Sequence, residues 1–306
     1  MASVPYITEA DVEGRLDWVA MAEALAEGHR GPRAEIADQF LTRGSDTLLS
    51  RAAWIDGMGV AVKSVTVMPD NPARDLPSVQ GAMVLFEDAT GRIVAVIDSD
   101  LVTRWKTAAD SLLGARLLAR RDARRLLIIG AGAVAASLIE AYRAGFPGIE
   151  VTLWSRTAAS ARALAEATGA ASSEDLPAAV AAADIVATAT MSTRPVLMGE
   201  WLRPGQHLDL IGAYRADMRE ADDRALTRSR IFVDSFETTL AHIGELKDPL
   251  ARGVITREDV LGDLYDLVAG AAGRRSAEEI TLFKNGGGAH LDLMTGREIL
   301  KVWQGG

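Results

Sequence analysis

Lys63 sits where a lysine is costly. Reading residues 60–68 with a period of two places it on one face with Ala61, Val65 and Val67. A lysine among apolar neighbours must find a partner or lose proton affinity. Either outcome makes it a candidate acid that delivers a proton to a substrate nitrogen. The alternative from spacing alone is a lysine on an edge strand that discourages aggregation. Lys106 lies in Val102-Thr103-Arg104-Trp105-Lys106-Thr107-Ala108-Ala109, near the start of a long helical pattern. A cation is unfavourable at a helix N-terminus unless an anion sits there too, which points to a bound carboxylate or phosphate. Arg43, in Leu41-Thr42-Arg43-Gly44, is a second candidate carboxylate ligand. His290 is either a proton relay or a solvent-exposed histidine at a helix start.

A second constellation lies mid-chain. Leu126-Leu127-Ile128-Ile129 runs into Gly130-Ala131-Gly132-Ala133-Val134-Ala135 and then an apolar helix. The string alone is weak, but strand before and helix after is the context a dinucleotide turn requires. Gly130 permits the tight turn, Gly132 lets backbone approach a pyrophosphate, and Ala135 lets the helix lie close to the sheet. The next strand ends Leu153-Trp154-Ser155-Arg156-Thr157. An NAD site usually carries Asp or Glu there, for the ribose 2′-hydroxyl. Ser155 and Arg156 instead suit a 2′-phosphate, so NADP(H) is the preferred cofactor, with NAD(H) as the alternative.

The elements that must hold these groups are of two kinds. Residues 12–29 have helical periodicity, and 47–54, 60–68, 81–87 and 93–98 read as strands joined by turn sequences such as Pro69-Asp70-Asn71-Pro72. A long helix follows over 101–119. Beyond it, short apolar runs at 126–129, 150–154, 185–189, 207–211, 231–233 and 280–284 are mostly separated by helical stretches, which implies a parallel sheet covered by helices. Residues 290–303 read as a terminal helix, expected to return to the first domain. The fold class is therefore α/β: a Rossmann-type doubly wound parallel sheet plus an α+β domain built on hairpins. The expected domains are 1–115 with 290–306, and 116–289.

Composition narrows the chemistry. The 306 residues suit two domains. The absence of Cys removes thiolate nucleophiles and sulfur metal sites, and the four His show no zinc-ligand spacing, so no metal is expected. A net charge of −9 argues against a nucleic-acid surface. The longest apolar run, 126–142, is interrupted by Gly130 and Gly132 and is short of a membrane span. The first residues lack a basic region followed by an apolar core, so a cytoplasmic location is expected.

Taken together, Arg43, Val62-Lys63-Ser64-Val65, Pro69-x-Asn71-Pro72, Leu76-Pro77-Ser78-x-Gln80-Gly81 and Lys106-Thr107-Ala108-Ala109 resemble the ornithine cyclodeaminase/mu-crystallin family. The likeness continues through Gly130-x-Gly132-Ala133, Ala187-Thr188-Ala189-Thr190, Val233-Asp234-Ser235 and Ile280-Thr281-Leu282-Phe283-Lys284, in order, over nearly the whole chain. The resemblance implies a homodimer joined through the first domain. It implies that Arg43 grips a substrate carboxylate, that Lys63 faces the reacting nitrogen, and that Lys106 and Gly286 line the substrate. It further implies a cofactor bounded by Ser78, Lys106 and Thr107, by Gly130, Gly132, Ala133 and Val134, and by Ser155, Arg156 and Thr157. The remaining cofactor positions are Thr188, Thr190, Met191, Gly212, Tyr214 and Asn285.

Two departures sharpen the expectation. Cyclodeaminases carry an Asp shortly after the Gly that follows the strand ending near Ile211; here the sequence is Gly212-Ala213-Tyr214-Arg215. Ketimine reductases of the family resemble this chain in lacking that Asp and in the pattern Arg215-Ala216-Asp217-Met218-Arg219-Glu220. Lys106 stands where most members have Arg, and an ammonium cannot make the bidentate fork of a guanidinium. The expected activity is NADPH-dependent reduction of a cyclic 2-imino acid, 1-pyrroline-2-carboxylate or 1-piperideine-2-carboxylate, to the cyclic amino acid. The alternatives are an ornithine cyclodeaminase or NAD(P)-dependent amino-acid dehydrogenase, or, in another class, a non-catalytic NADPH-binding protein of the crystallin kind.

Overall fold

The computed structural model describes residues 3–305. Residues 1, 2 and 306, which the expected domain limits include, lie outside the described residues. The chain opens with β1 (Tyr6–Ile7), α1 (Glu9–Val12) and α2 (Trp18–Arg30). The helix expected over 12–29 is thus broken. Gly14 adopts a left-handed φ of 67°, and Asp17 caps the new helix by accepting the Ala20 amide at 2.8 Å. A meander follows: β2 (Glu35–Arg43), β3 (Asp46–Ile55), β4 (Gly59–Val67), β5 (Val79–Phe86) and β6 (Ile93–Asp98). With β1 they form a six-stranded sheet in the order β1-β6-β5-β4-β3-β2, antiparallel except where β1 meets β6. Period-two alternation buries Ala61, Lys63 and Val65 of β4 and Met83 and Leu85 of β5 on one face.

After α3 (Ser99–Leu118) come β7 (Arg125–Ile129), α4 (Ala133–Gly145), β8 (Glu150–Trp154), α5 (Ala158–Thr168), β9 (Ala171–Ser172), α6 (Leu176–Ala182), β10 (Ile185–Thr188) and β11 (His207–Leu210). Then follow α7 (Asp223–Thr227), β12 (Ser229–Val233), α8 (Phe236–Thr239), α9 (Gly244–Ala251), α10 (Leu264–Val268) and β13 (Ile280–Lys284). The seven strands are all parallel, in the order β12-β13-β11-β10-β7-β8-β9. Chain order reverses on either side of β7, and such a switch point is where open α/β sheets bind ligands, at the carboxyl ends of the strands. The doubly wound fold is therefore as expected. No helix among the described residues is long and apolar enough to cross a membrane.

The chain ends in α11 (Ala289–Gln304), which packs on β2 to β5 and on α2. Glycines make that approach possible: a Cβ on Gly28 would stand 2.5 Å from Met294 Sδ, and one on Gly296 would stand 2.2 Å from Met83 Cε. Leu25 and Met21 of α2 are fully buried, each burial stabilising by roughly 1.5–3 kcal/mol. Two compact units result, Met1–Lys106 with Gly288–Gly306, and Thr107–Gly287. The first division falls within α3, nine residues before the boundary at residue 115 read from the sequence pattern.

Candidate active site

In the first unit β4 lies between β3 and β5, so Lys63 is not an edge-strand lysine. It is only 5% exposed. Its Nζ donates to Asp292 Oδ1 at 2.7 Å and to Thr103 Oγ1 at 3.3 Å. Lys106 Nζ stands 3.7 Å from the same carboxylate oxygen. The other oxygen, Asp292 Oδ2, is buried and has no hydrogen-bond partner. Strand register adds a third cation: Arg51 of β3 lies directly opposite Lys63, and Asp38 of β2 directly opposite Arg51. Residues paired in this way project from the same face. Arg51 holds Asp38 in a two-point bridge, Nη2–Oδ2 2.6 Å and Nε–Oδ1 3.2 Å.

Burial is the main force on Lys63 and pulls its proton affinity down; Asp292 restores part of it and Lys106 lowers it again, leaving a value of about 8. Burial pushes Asp292 the opposite way, but Lys63, Lys106 and Arg51 together outweigh it and hold the carboxyl at about 2. Near neutral pH the cluster therefore pairs a charged lysine that gives up its proton readily with a firmly ionised carboxylate.

Three expectations for this unit need correction. Arg43 is not brought to Lys63. It ends β2 with an 85% exposed side chain paired to Asp46 at 2.9 Å. It is five residues along the strand from Asp38, roughly 17 Å at the usual rise per residue. Lys106 is not at a helix N-terminus, because α3 begins at Ser99 and Lys106 falls in its second turn; Asp292, rather than an anion bound at a helix end, is its anionic neighbour. His290 is not exposed. It is 2% exposed, edge-on to His29 with ring centroids 5.5 Å apart, and burial first, then His29 and Lys106, hold it well below the usual histidine range. Ser78, half-buried, stands just before β5, where its carbonyl accepts the Met68 amide at 2.7 Å.

The second unit carries the dinucleotide features. Gly130 has φ 138°, and a Cβ there would lie 2.4 Å from the Ala189 carbonyl, so only glycine fits. Gly132 caps α4 without a side-chain hydrogen bond, and a Cβ on it would meet nothing within 4 Å. The first-turn amides of α4, from Ala133 and Val134 onward, thus face open space at the positive end of a 13-residue helix, which suits a pyrophosphate. Val134 is 37% exposed. At the end of β8, Ser155 Oγ accepts the Thr157 amide at 3.3 Å, and exposed Arg156 makes no hydrogen bond or ion pair among the described residues. These residues fit a nicotinamide dinucleotide.

Loops at the carboxyl ends of the strands are tied to buried carboxylates. Glu220 accepts from Thr190 N and Oγ1, each at 2.7 Å, from Gly212 N at 2.6 Å and from Ala213 N at 3.1 Å. Asp234 accepts from the amides of Gly286 and Gly287 and from Thr239 Oγ1. Asn285 donates to the Thr107 carbonyl and to Ser111 Oγ, both at 3.0 Å. Thr188 is buried with its hydroxyl unpartnered, whereas Met191 and Tyr214 are 70% and 55% exposed. Sequence reasoning passed over Asp292, Arg51 and the tethering role of Glu220 and Asp234. A charge on the buried face of a helix or strand was the available signal: Asp292 follows Leu291, and Arg51 alternates with Leu49 and Ala53.

A family model described as the ornithine cyclodeaminase/mu-crystallin family matches residues 52–306. A Delta(1)-pyrroline-2-carboxylate reductase of Paracoccus denitrificans is 56% identical over 307 residues, covering 98% of this chain and 97% of that one. The mouse ketimine reductase mu-crystallin is 32% identical, covering 81% and 77%. Among solved structures, the Thermococcus litoralis Delta(1)-pyrroline-2-carboxylate reductase in complex with NADH and L-proline superposes with a TM-score of 0.90 at 26% identity, covering 99% and 98%. With its two-unit fold, its glycine turn at β7 and this extent of likeness, the chain belongs to the ornithine cyclodeaminase/mu-crystallin family.

Proposed function

We propose that this protein is an NADPH-dependent reductase of a cyclic 2-imino acid, 1-pyrroline-2-carboxylate or 1-piperideine-2-carboxylate, acting as a cytoplasmic homodimer. It is an oxidoreductase of C=N bonds that uses a nicotinamide cofactor. The observation that carries the reading is the buried Lys63–Asp292 pair: a lysine of proton affinity about 8, flanked by further cations. Reduction of C=N adds a hydride to carbon and a proton to nitrogen. The nicotinamide, when bound, supplies the hydride. Lys63 supplies the proton, and a donor poised near the working pH is the efficient kind. Asp292 keeps the ammonium oriented and ionised before transfer. The surrounding cations favour a substrate that carries a carboxylate. The 56% identical reductase from Paracoccus denitrificans supports this substrate class.

Ser155, Arg156 and Thr157 support NADPH over NADH, since Arg156 extends a guanidinium with no protein partner at the ribose end of the site. For the homodimer, Phe40 and Leu41 of β2 are 61% and 56% exposed, and Trp54 of β3 is 53% exposed, on the sheet of the first unit. Light scattering on the eluting protein checks this part. The activity is tested by following NADPH absorbance with each imino acid, NADH run in parallel. Rapid turnover with NADPH is the expected result, and Arg156→Ala should raise the KM for NADPH about 10-fold while leaving that for NADH unchanged. Failure of both imino acids with either cofactor sinks the reading; equal use of NADPH and NADH by the native enzyme sinks the cofactor preference alone.

A further inference from the structure

We infer that Arg51 is the guanidinium that takes the substrate's carboxylate, forming with Lys106 the clamp that Arg43 is too far away to provide. The inference rests on the imino-acid reading above and names the residue that selects its anionic end. Three observations support it. First, register sets Arg51 directly beside Lys63, so a group held by Arg51 has its neighbouring atoms within reach of the proton donor. Second, Lys63 pairs with Asp292, Lys106 Nζ lies 3.7 Å from the same oxygen, and with Arg51 they hold that carboxyl ionised, while Asp38 meets Arg51 from a position one-third exposed. A site where three cations act together favours an incoming carboxylate. Third, position 106 holds an ammonium, which grips a carboxylate as a point charge, whereas Arg51 carries the planar guanidinium that suits two parallel hydrogen bonds. Asp38, by its two-point bridge, fixes the plane of that fork.

The chemistry read is a single carboxylate on a small ring, next to the carbon that accepts hydride. An arginine clamp discriminates such an anion from a neutral amide of the same shape, and this separates recognition from mere support of the fold.

The test uses Arg51→Met, Arg51→Lys and Arg43→Ala in the full-length protein. With 1-pyrroline-2-carboxylate, Arg51→Met should raise KM roughly 10–100-fold, the range of a lost charge-assisted pair, with a smaller fall in kcat. Arg51→Lys should recover part of the loss, and Arg43→Ala should change KM less than about 2-fold. Calorimetric binding of pyrrole-2-carboxylate and pyrrole-2-carboxamide to the NADPH-loaded protein gives a readout without turnover. The native protein should prefer the carboxylate, and Arg51→Met should abolish that preference while its affinity for NADPH stays the same. An intact preference in Arg51→Met, or a KM rise confined to Arg43→Ala, overturns the inference. Native protein that reduces neither imino acid yet shows an Arg51-dependent preference overturns the proposed reaction and keeps the clamp.

Discussion

Each unit buries a knot of charge, and the two knots are built in opposite senses. In the first, Lys63, Lys106 and Arg51 all act on Asp292, whose second oxygen has no hydrogen-bond partner, while Asp38 bridges Arg51. In the second, one lysine, Lys284, is fully buried in the field of Asp209, Glu220, Asp234 and Glu245. Four carboxylates around one lysine would be ruinous if charge alone were counted, but backbone amides and hydroxyls take up the excess. Glu245 accepts the Glu220 and Ala221 amides at 2.6 and 3.0 Å, and Asp209 accepts Tyr142 Oη at 2.8 Å and Ser111 Oγ at 3.2 Å. Lys284 in turn donates to the Leu210 carbonyl at 2.8 Å and to that of Asn285. Burial raises Asp209 and Glu245 to about 7, the latter with help from Glu220. A count of buried charges therefore does not mark a binding site. What distinguishes the first knot is its sign, an excess of cation around Lys63 that suits an incoming carboxylate.

The comparison breaks most readily at Lys284. Lys284→Met should lower stability by about 3–5 kcal/mol, read as a fall in the urea midpoint, because it strands buried carboxylates. Lys106→Met draws on an excess of cations and should leave the midpoint unchanged or raise it. Equal losses in the two variants would show that the knots are alike after all.

Next in size is the chemical step. Lys63→Met should cut kcat about 100-fold or more, the usual range for a lost general acid, with NADPH binding intact by fluorescence. Near-normal turnover would remove Lys63 from the reaction.

The finest test is the pH profile. Lys63 acts in its protonated form, so kcat should hold below about 8 and fall above it. Asp292 raises the proton affinity of Lys63, so Asp292→Asn should shift that limb to lower pH. The same lysine gives a stability effect of defined sign. Its folded value, about 8, lies below the ordinary 10.5, so the unfolded chain binds more protons between these values. Its contribution to stability should therefore rise as pH climbs through that interval.

The dinucleotide half was legible because its signals are local. An apolar run, a glycine turn and a helix lie within some twenty residues, and β8 and β13 begin and end where the sequence pattern places them. The substrate half was legible only in part. β2 went unread because nearly all of it is exposed, so Glu35–Arg43 shows no alternation between a wet and a dry face. Without that strand Arg43 looked like an isolated ligand, and its distance from Lys63 could not be inferred. Asp292 was hidden for a different reason. Its partner is 229 positions away, and no window of sequence holds both ends of such a pair.

That separation also acts in time. A ribosome adding roughly 5–20 residues per second needs on the order of 10–50 s to travel from Lys63 to Asp292. Throughout that interval β4 displays an ammonium and an uncovered apolar face. The nascent first unit must therefore wait, unfinished, while all of Thr107–Gly287 is made, and it closes only when α11 emerges to cover the sheet.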